Sequence, residues 1–198
     1  MRSERMRQKI NCLAAWGLAV LLLTVPARAS AAFPDVDENA PYAEAAEYLN
    51  DIGVMSGDTN GNFNPDQTVT RAQMAAILCR VLGETEDLPT DGDRFTDVPA
   101  SYWANGYIVK AAELGIIGGY QDGSFKPGNA VTYEQAVTMV IRAFGYEDEA
   151  SSAGGYPDGY LAVAQNLGLL NNVGRKNGKS LDRGSVAIII YNCYHSYV

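Results

Sequence analysis

The sequence predicts a mainly α-helical protein made of three helix–loop–helix copies that share one core. Three observations carry this. The chain repeats itself at an offset of 62 residues: Phe33-Pro34-Asp35-Val36 returns as Phe95-Thr96-Asp97-Val98, and Gly53, Gly57, Gly61, Phe63 and Pro65 return as Gly115, Gly119, Gly123, Phe125 and Pro127. Apolar residues on either side of each Gly-rich loop fall at helical spacing. Finally, two of the segments behind the loops open on a T-x-x-Q box, Thr70-Arg71-Ala72-Gln73 and Thr132-Tyr133-Glu134-Gln135. A period of this length marks a repeat architecture.

The first helix of copy one is read from Tyr42, Ala45, Ala46, Leu49 and Ile52, stopped by Gly53. Copy two repeats it with Trp103, Tyr107, Ala111 and Leu114 before Gly115, and copy three with Tyr160, Ala164 and Leu167 before Gly168. Glycine is the usual left-handed stop at a helix C-terminus. The second helices carry Met74, Ile77, Leu78 and Val81; then Ala136, Met139, Val140 and Ala143; then Val186, Ile189, Ile190 and Cys193. In the capping box Thr accepts from an early backbone N–H while Gln reaches back to the cap residue's own N–H. Copy three has Asp182 as cap and Ser185 in place of Gln, and its middle loop is three residues shorter. The copies span residues 32–84, 94–146 and 154–198, joined by acidic Gly- and Ser-containing linkers, Glu84 to Asp93 and Glu147 to Gly154. A helical pair of this size buries too little apolar surface to stand alone, so the copies are expected to close around a common axis.

Charge is divided unevenly along the 198 residues, whose formal net charge is −8. Arg2, Arg5, Arg7 and Lys9 precede an uncharged apolar run from Leu13 to Val25, followed by small residues up to Ala31. That run is shorter than the roughly 20 apolar residues of a membrane span, so residues 1–31 read as a signal peptide, cleaved after Ala31. The remainder holds 10 basic and 22 acidic residues. No basic face for a nucleic-acid backbone exists in that composition, and membrane insertion after signal cleavage is not expected. Cys79 and Cys193 permit a disulfide in an exported chain, but their apolar helical settings suit small buried hydrophobes. With His195 as the sole histidine, a zinc site of His/Cys type is not expected, nor is any cofactor.

Taken in order, these motifs resemble the S-layer homology family. The marks are Phe33-x-Asp35-Val36 and Phe95-x-Asp97-Val98, and the pairs Tyr42-Ala43 and Trp103-Ala104. They continue with Gly115-Ile116-Ile117-Gly118-Gly119-Tyr120-x-Asp122-Gly123-x-Phe125-x-Pro127 and with Thr70-Arg71-Ala72-Gln73. The resemblance implies a pseudo-threefold, three-pronged domain with a central helical bundle. It also implies a secreted, non-catalytic protein of the cell wall or cell surface, associated with an S-layer. Its partner would be secondary cell-wall polysaccharide attached to peptidoglycan, often met through a terminal pyruvylated amino sugar.

Such a ligand needs a fixed cation, exposed donors and a flat apolar wall. Arg71 and Arg183 stand at helix starts, where guanidinium, free N–H groups and helix dipole all favour an anion. Copy two has Tyr133 there, so that cleft is expected to be weak or silent. Gly57, Gly119 and Gly123 would let backbone N–H groups approach a ligand, Trp103, Tyr42 and Tyr120 would stack on a sugar face, and Asp122 would accept sugar hydroxyls. Blander roles compete: a turn for Asp122-Gly123, a half-core position for Trp103, and caps of the entering turns for Asp35 and Asp97. Two other function classes are weaker. Asp58-Thr59-Asn60-Gly61-Asn62 opens like a calcium loop, but Phe63 and Val69 stand where the glycine and glutamate belong. A wall-glycan hydrolase needs two carboxylates facing one cleft, and the acids here fall in linkers, turns and exposed faces.

Overall fold

A computed structural model describes residues 33–174 and 176–195; the expected signal peptide lies outside them. Seven helices follow in order: α1 Ala43–Asp51, α2 Arg71–Val81, α3 Asn105–Glu113, α4 Tyr133–Ala143, α5 Glu147–Ser152, α6 Asp158–Asn166 and α7 Arg183–His195. The predicted second helices α2, α4 and α7 are buried on nearly every face, so they form the centre, and every residue of their expected stripes is in the core. Both capping boxes form: Gln73 N–H donates to Thr70 Oγ1 at 3.2 Å and Thr70 N–H to Gln73 Oε1 at 2.9 Å, with the same pair at Thr132 and Gln135. Asp182 caps α7 by accepting from Ser185 N–H at 2.7 Å. Gly53, Gly115 and Gly168 all take φ of +72°, the left-handed stop that ends each first helix.

The helices do not pair within a copy. The first helix of each copy packs on the second helix of the copy before it: α3 on α2, α6 on α4, and α1 back on α7. The loops leading into the second helices complete the circle. Val69 N–H donates to Leu181 O, Leu181 N–H to Val131 O, and Val131 N–H to Val69 O, at 2.9, 3.1 and 2.9 Å. Each segment thus gives one hydrogen bond to one neighbour and takes one from the other.

Three expectations need correcting. The stretch Glu147 to Gly154, read as a linker, contains α5, which packs on α6. Its first turn carries Glu147, Asp148 and Glu149, the charge a helix N-terminus favours, and Ala150 is fully buried. Trp103 lies before α3 rather than on its apolar face and is 58% exposed; Ile52, just past α1, is exposed as well. Both sit at helix ends, where an apolar period runs past the segment that meets a neighbour. Cys79 and Cys193, by contrast, are buried free thiols, as their apolar helical settings suggested. Burial pushes the Cys79 thiol up to about 12, and its Sγ approaches Tyr107 O at 3.5 Å. Asp35 and Asp97, finally, bond the backbone of a loop 28 and 29 residues further on rather than an entering turn.

Candidate functional site

The Gly-rich loop of copy two is held from two sides. From its own copy, the Asp97 carboxylate accepts from Phe125 N–H at 2.7 Å and Lys126 N–H at 2.8 Å. From the preceding copy, Arg71 at the start of α2 donates Nε–H to Phe125 O at 2.8 Å and an Nη2 proton to Gly118 O at 3.1 Å. Its guanidinium also lies 4.5 Å from the Phe125 ring centre and 5.1 Å from that of Tyr120. The loop of copy one is built alike. Asp35 accepts from Phe63 N–H and Asn64 N–H at 2.8 and 2.7 Å, while Arg183 donates to Phe63 O and Ser56 O at 2.8 and 3.1 Å. A carboxylate and a guanidinium from different copies therefore grip one loop, meeting at the N–H and C=O of the same phenylalanine.

Both arginines are mostly enclosed. Burial draws their pKa values down; Tyr120 and Asp97 oppose this at Arg71, and Asp35 and Asp58 oppose it at Arg183. Two of the five N–H donors of each guanidinium are engaged by loop carbonyls, which leaves three for other partners. Arg71 opens on a cleft of about 280 Å³ whose other lining residues are Ile116 to Gly119, Gln135, Thr138, Met139, Arg142 and Tyr156. Arg142 is joined to Glu147 at 2.9 Å, and Tyr156 is 60% exposed. Arg183 has a second arginine in its surroundings too, since Arg80 helps lower its pKa.

The structure places Gly119 and Tyr120 beside Arg71, and Gln135, Thr138, Arg142 and Tyr156, which the sequence analysis did not name as candidates, line the same cleft. Arg142 was visible in the 62-residue alignment with Arg80, and Gln135 was visible only as a cap. Gly119 has a packing duty: a Cβ there would meet Phe95 Cε1 at 2.7 Å, and at Gly57 a Cβ would meet Phe33 Cε1 at 2.9 Å. Gly123 takes φ of +78° in a turn closed by its N–H to Tyr120 O at 3.0 Å. Asp122 accepts from Ser124 Oγ at 2.6 Å and Ser124 N–H at 3.0 Å and meets Lys126 at 3.6 Å, bonds that hold its carboxyl below the usual range. Tyr42 lies flat against α7, where a Cβ on Gly184 would meet its Cδ1 at 2.8 Å. Trp103 stands beside Tyr102, ring centres 6.0 Å apart. The Asp58 loop is an Asx turn in which Oδ1 accepts from Asn60 and Asn62 N–H. Tyr133 is buried and lines a different cleft, of about 290 Å³, with Asp158, Leu161, Ala162, Gln165, Leu170 and Val173.

Residues 32–75 and 94–137 each match the S-layer homology domain. They contain the whole of the α1 and α3 helices, both Gly-rich loops and the starts of α2 and α4, including Arg71 and Tyr133. Residues 154–198 are not part of either S-layer homology match. The chain is 35% identical over 191 residues to a cell surface protein of Thermoanaerobacter kivui, covering 94% of this chain and 24% of that protein. It is 32% identical to the middle cell wall protein of Brevibacillus brevis, covering 94% of this chain and 18% of the relative. A cellulosome-anchoring protein of Acetivibrio thermocellus is 29% identical over 110 residues, 54% of this chain and 23% of that protein. The chain spans a quarter or less of the length of these relatives. Among its described residues, no helix is long and apolar enough to cross a membrane.

Proposed function

We propose that this chain is a non-catalytic module that holds to the bacterial cell wall by binding secondary cell-wall polysaccharide. The bound group is an anionic terminal sugar, a pyruvate ketal of an amino sugar, seated in the Arg71 and Arg183 clefts. The observation that carries this reading is that each guanidinium is pinned by two loop carbonyls at one edge, with donors left for an anion at the other. A pinned guanidinium has little rotamer entropy left to lose on binding a carboxylate. Residues 154–198 act as a third, divergent copy, a reading supported by the ring of hydrogen bonds that Leu181 completes. The relatives, a cell surface protein, a cell wall protein and a cellulosome-anchoring protein, agree with a wall address.

The test is co-sedimentation of the purified protein with wall sacculi of the source bacterium. Binding is expected before, and lost after, acid extraction of the secondary polymer. Arg71→Ala and Arg183→Ala are each expected to weaken binding by about tenfold, the effect of losing one charge-assisted pair. Tyr133→Phe changes little, and affinity falls with salt, though less steeply than for a polyphosphate binder. Full affinity in the double arginine variant, with its helical content intact by circular dichroism, overturns the reading. Calcium dependence, read as release by a chelator, or release of reducing sugar from the polymer would favour the two other function classes.

A further inference from the structure

The aromatic residue that opens each copy is used in two ways. Phe33 packs on Phe63 of its own Gly-rich loop, ring centres 5.1 Å apart, and Phe95 on Phe125 at 5.3 Å; both are buried. The aligned residue of copy three is Tyr156, but the shorter loop of that copy, Gly168 to Leu181, has no aromatic residue to receive it. Tyr156 is instead exposed and lines the Arg71 cleft. Burial pushes its phenol up, as do Glu134 and Tyr120 of copy two, so the side chain reaches toward the copy-two side of that cleft. Its backbone is held on both sides. Gly155 N–H donates to Ala150 O at 2.9 Å, Gly159 N–H to Gly155 O at 2.7 Å, and Leu161 N–H to Pro157 O at 3.1 Å. Tyr120, by contrast, already has cations over its ring, Lys126 at 4.1 Å and Arg71 at 5.1 Å from the ring centre. An exposed ring on a fixed backbone, beside a guanidinium with donors to spare, is a surface prepared for a ligand.

We infer that Tyr156 is the flat wall of the Arg71 cleft, on which the sugar ring carrying the anionic group stacks through its C–H face. The inference rests on the Arg71 cleft being the polymer site. Copy one then supplies the cation, copy two the loop and the helix, and copy three the ring, so all three copies meet on one ligand. A sugar ring turns apolar C–H groups to one side, and the negative face of an aromatic ring takes them out of water without needing a hydrogen bond. Arg71 thus reads the charge of the ligand and Tyr156 its ring. The loss of the loop phenylalanine in copy three explains why this aromatic is free to do so, while Phe33 and Phe95 stay in the core.

The test uses the full purified protein, titrated by calorimetry with secondary polymer released by acid from the source bacterium's sacculi. Tyr156→Phe keeps the ring and should bind like wild type. Tyr156→Leu keeps apolar bulk without a flat face and should weaken binding about fivefold, and Tyr156→Ala about tenfold. All three should leave the urea midpoint unchanged, because the ring is exposed. Arg71→Ala, run alongside, reports on the site itself. Loss with Arg71→Ala but full affinity with Tyr156→Ala overturns this inference and leaves the site standing, whereas full affinity with Arg71→Ala removes both. A loss in Tyr156→Phe as large as in Tyr156→Ala overturns the stacking, since the hydroxyl would then be the contact. Full affinity in Tyr156→Leu overturns it too, because bulk rather than a flat face would suffice. A lower urea midpoint in Tyr156→Leu and Tyr156→Ala does the same, because the ring would then serve the fold.

Discussion

The Gly-rich loop of copy two and its shorter counterpart in copy three start from similar sequence and reach different structures. In copy two, Asp97 reaches forward to the N–H groups of Phe125 and Lys126, and Arg71 of the preceding copy takes the loop carbonyls. In copy three the aligned acid, Asp158, is the first residue of α6 and lines a cleft beside Tyr133, which stands where an arginine would. The clamp arginine and three loop residues have thus changed together, while the aligned acid keeps its identity and takes another place. Their covariation inside one chain teaches that the arginine serves the loop as well as any ligand. A loop held by charged hydrogen bonds from two copies keeps its carbonyls and N–H groups satisfied without packing of its own.

The largest stability effect expected from this comparison comes from the acid. Asp97→Ala should destabilise by about 2 kcal/mol in urea titration, since two backbone donors lose a charged acceptor and one of them is partly buried. Asp158→Ala should stay within about 0.5 kcal/mol. Equal losses at the two positions would break the contrast between the loops. Next comes packing: Gly119→Ala should cost about 1.5 kcal/mol, because its methyl group would press on the Phe95 ring and on Ser124 O at 3.0 Å. No cost would mean that the ring moves freely and that the loop is held by the clamp alone. Thr70→Ala should remove about 1 kcal/mol through loss of the capping box. A change indistinguishable from zero would show that the hydrogen-bonded ring fixes the start of α2 without it.

The smallest effect is a pH dependence carried by Asp182 in copy three. Burial pushes Asp182 upward, but Lys176 and the Ser185 N–H outweigh it and hold the carboxyl below its ordinary value. A carboxyl with a lowered folded-state pKa binds fewer protons folded than unfolded, so its contribution is present at neutral pH and lost as pH falls through the carboxylate range. Wild type should therefore lose more stability than Asp182→Asn between neutral and acid pH, measured as the shift in urea midpoint. Identical shifts would remove Asp182 from the acid response.

Much of this was legible in the residues. The period, the three glycine stops and the capping boxes are local features, each decided within a few residues, and they placed six of the seven helices. Glu147 to Ser152 was misread because its helix depends on burying Ala150 against α6, where a Cβ on Gly159 would meet Ala150 O at 2.1 Å. Single-helix periodicity does not report that contact. The expected site residues were also of two kinds. Arg71 and Arg183 were named as candidates because a cation at a helix start is a local feature. Thr138, Arg142 and Tyr156 were not named because the cleft forms only where Arg71 and Tyr156 of the flanking copies meet the loop and helix of copy two.

By itself, then, the sequence determined where the chain turns helical, where it stops, and which face of each second helix is apolar, because caps, glycines and 3.6-residue spacing act within one segment. Only the tertiary structure decided that a first helix packs on the second helix of the copy before it rather than on its own. It also decided that Asp97 grips a loop 28 residues away and that Arg71 grips one 47 and 54 residues away. The reason is physical. Equivalent copies present equivalent apolar faces, so hydrophobic burial alone is nearly indifferent to which copy supplies the partner. The choice falls to loop lengths and to charged hydrogen bonds between copies, which no pattern within a single copy encodes.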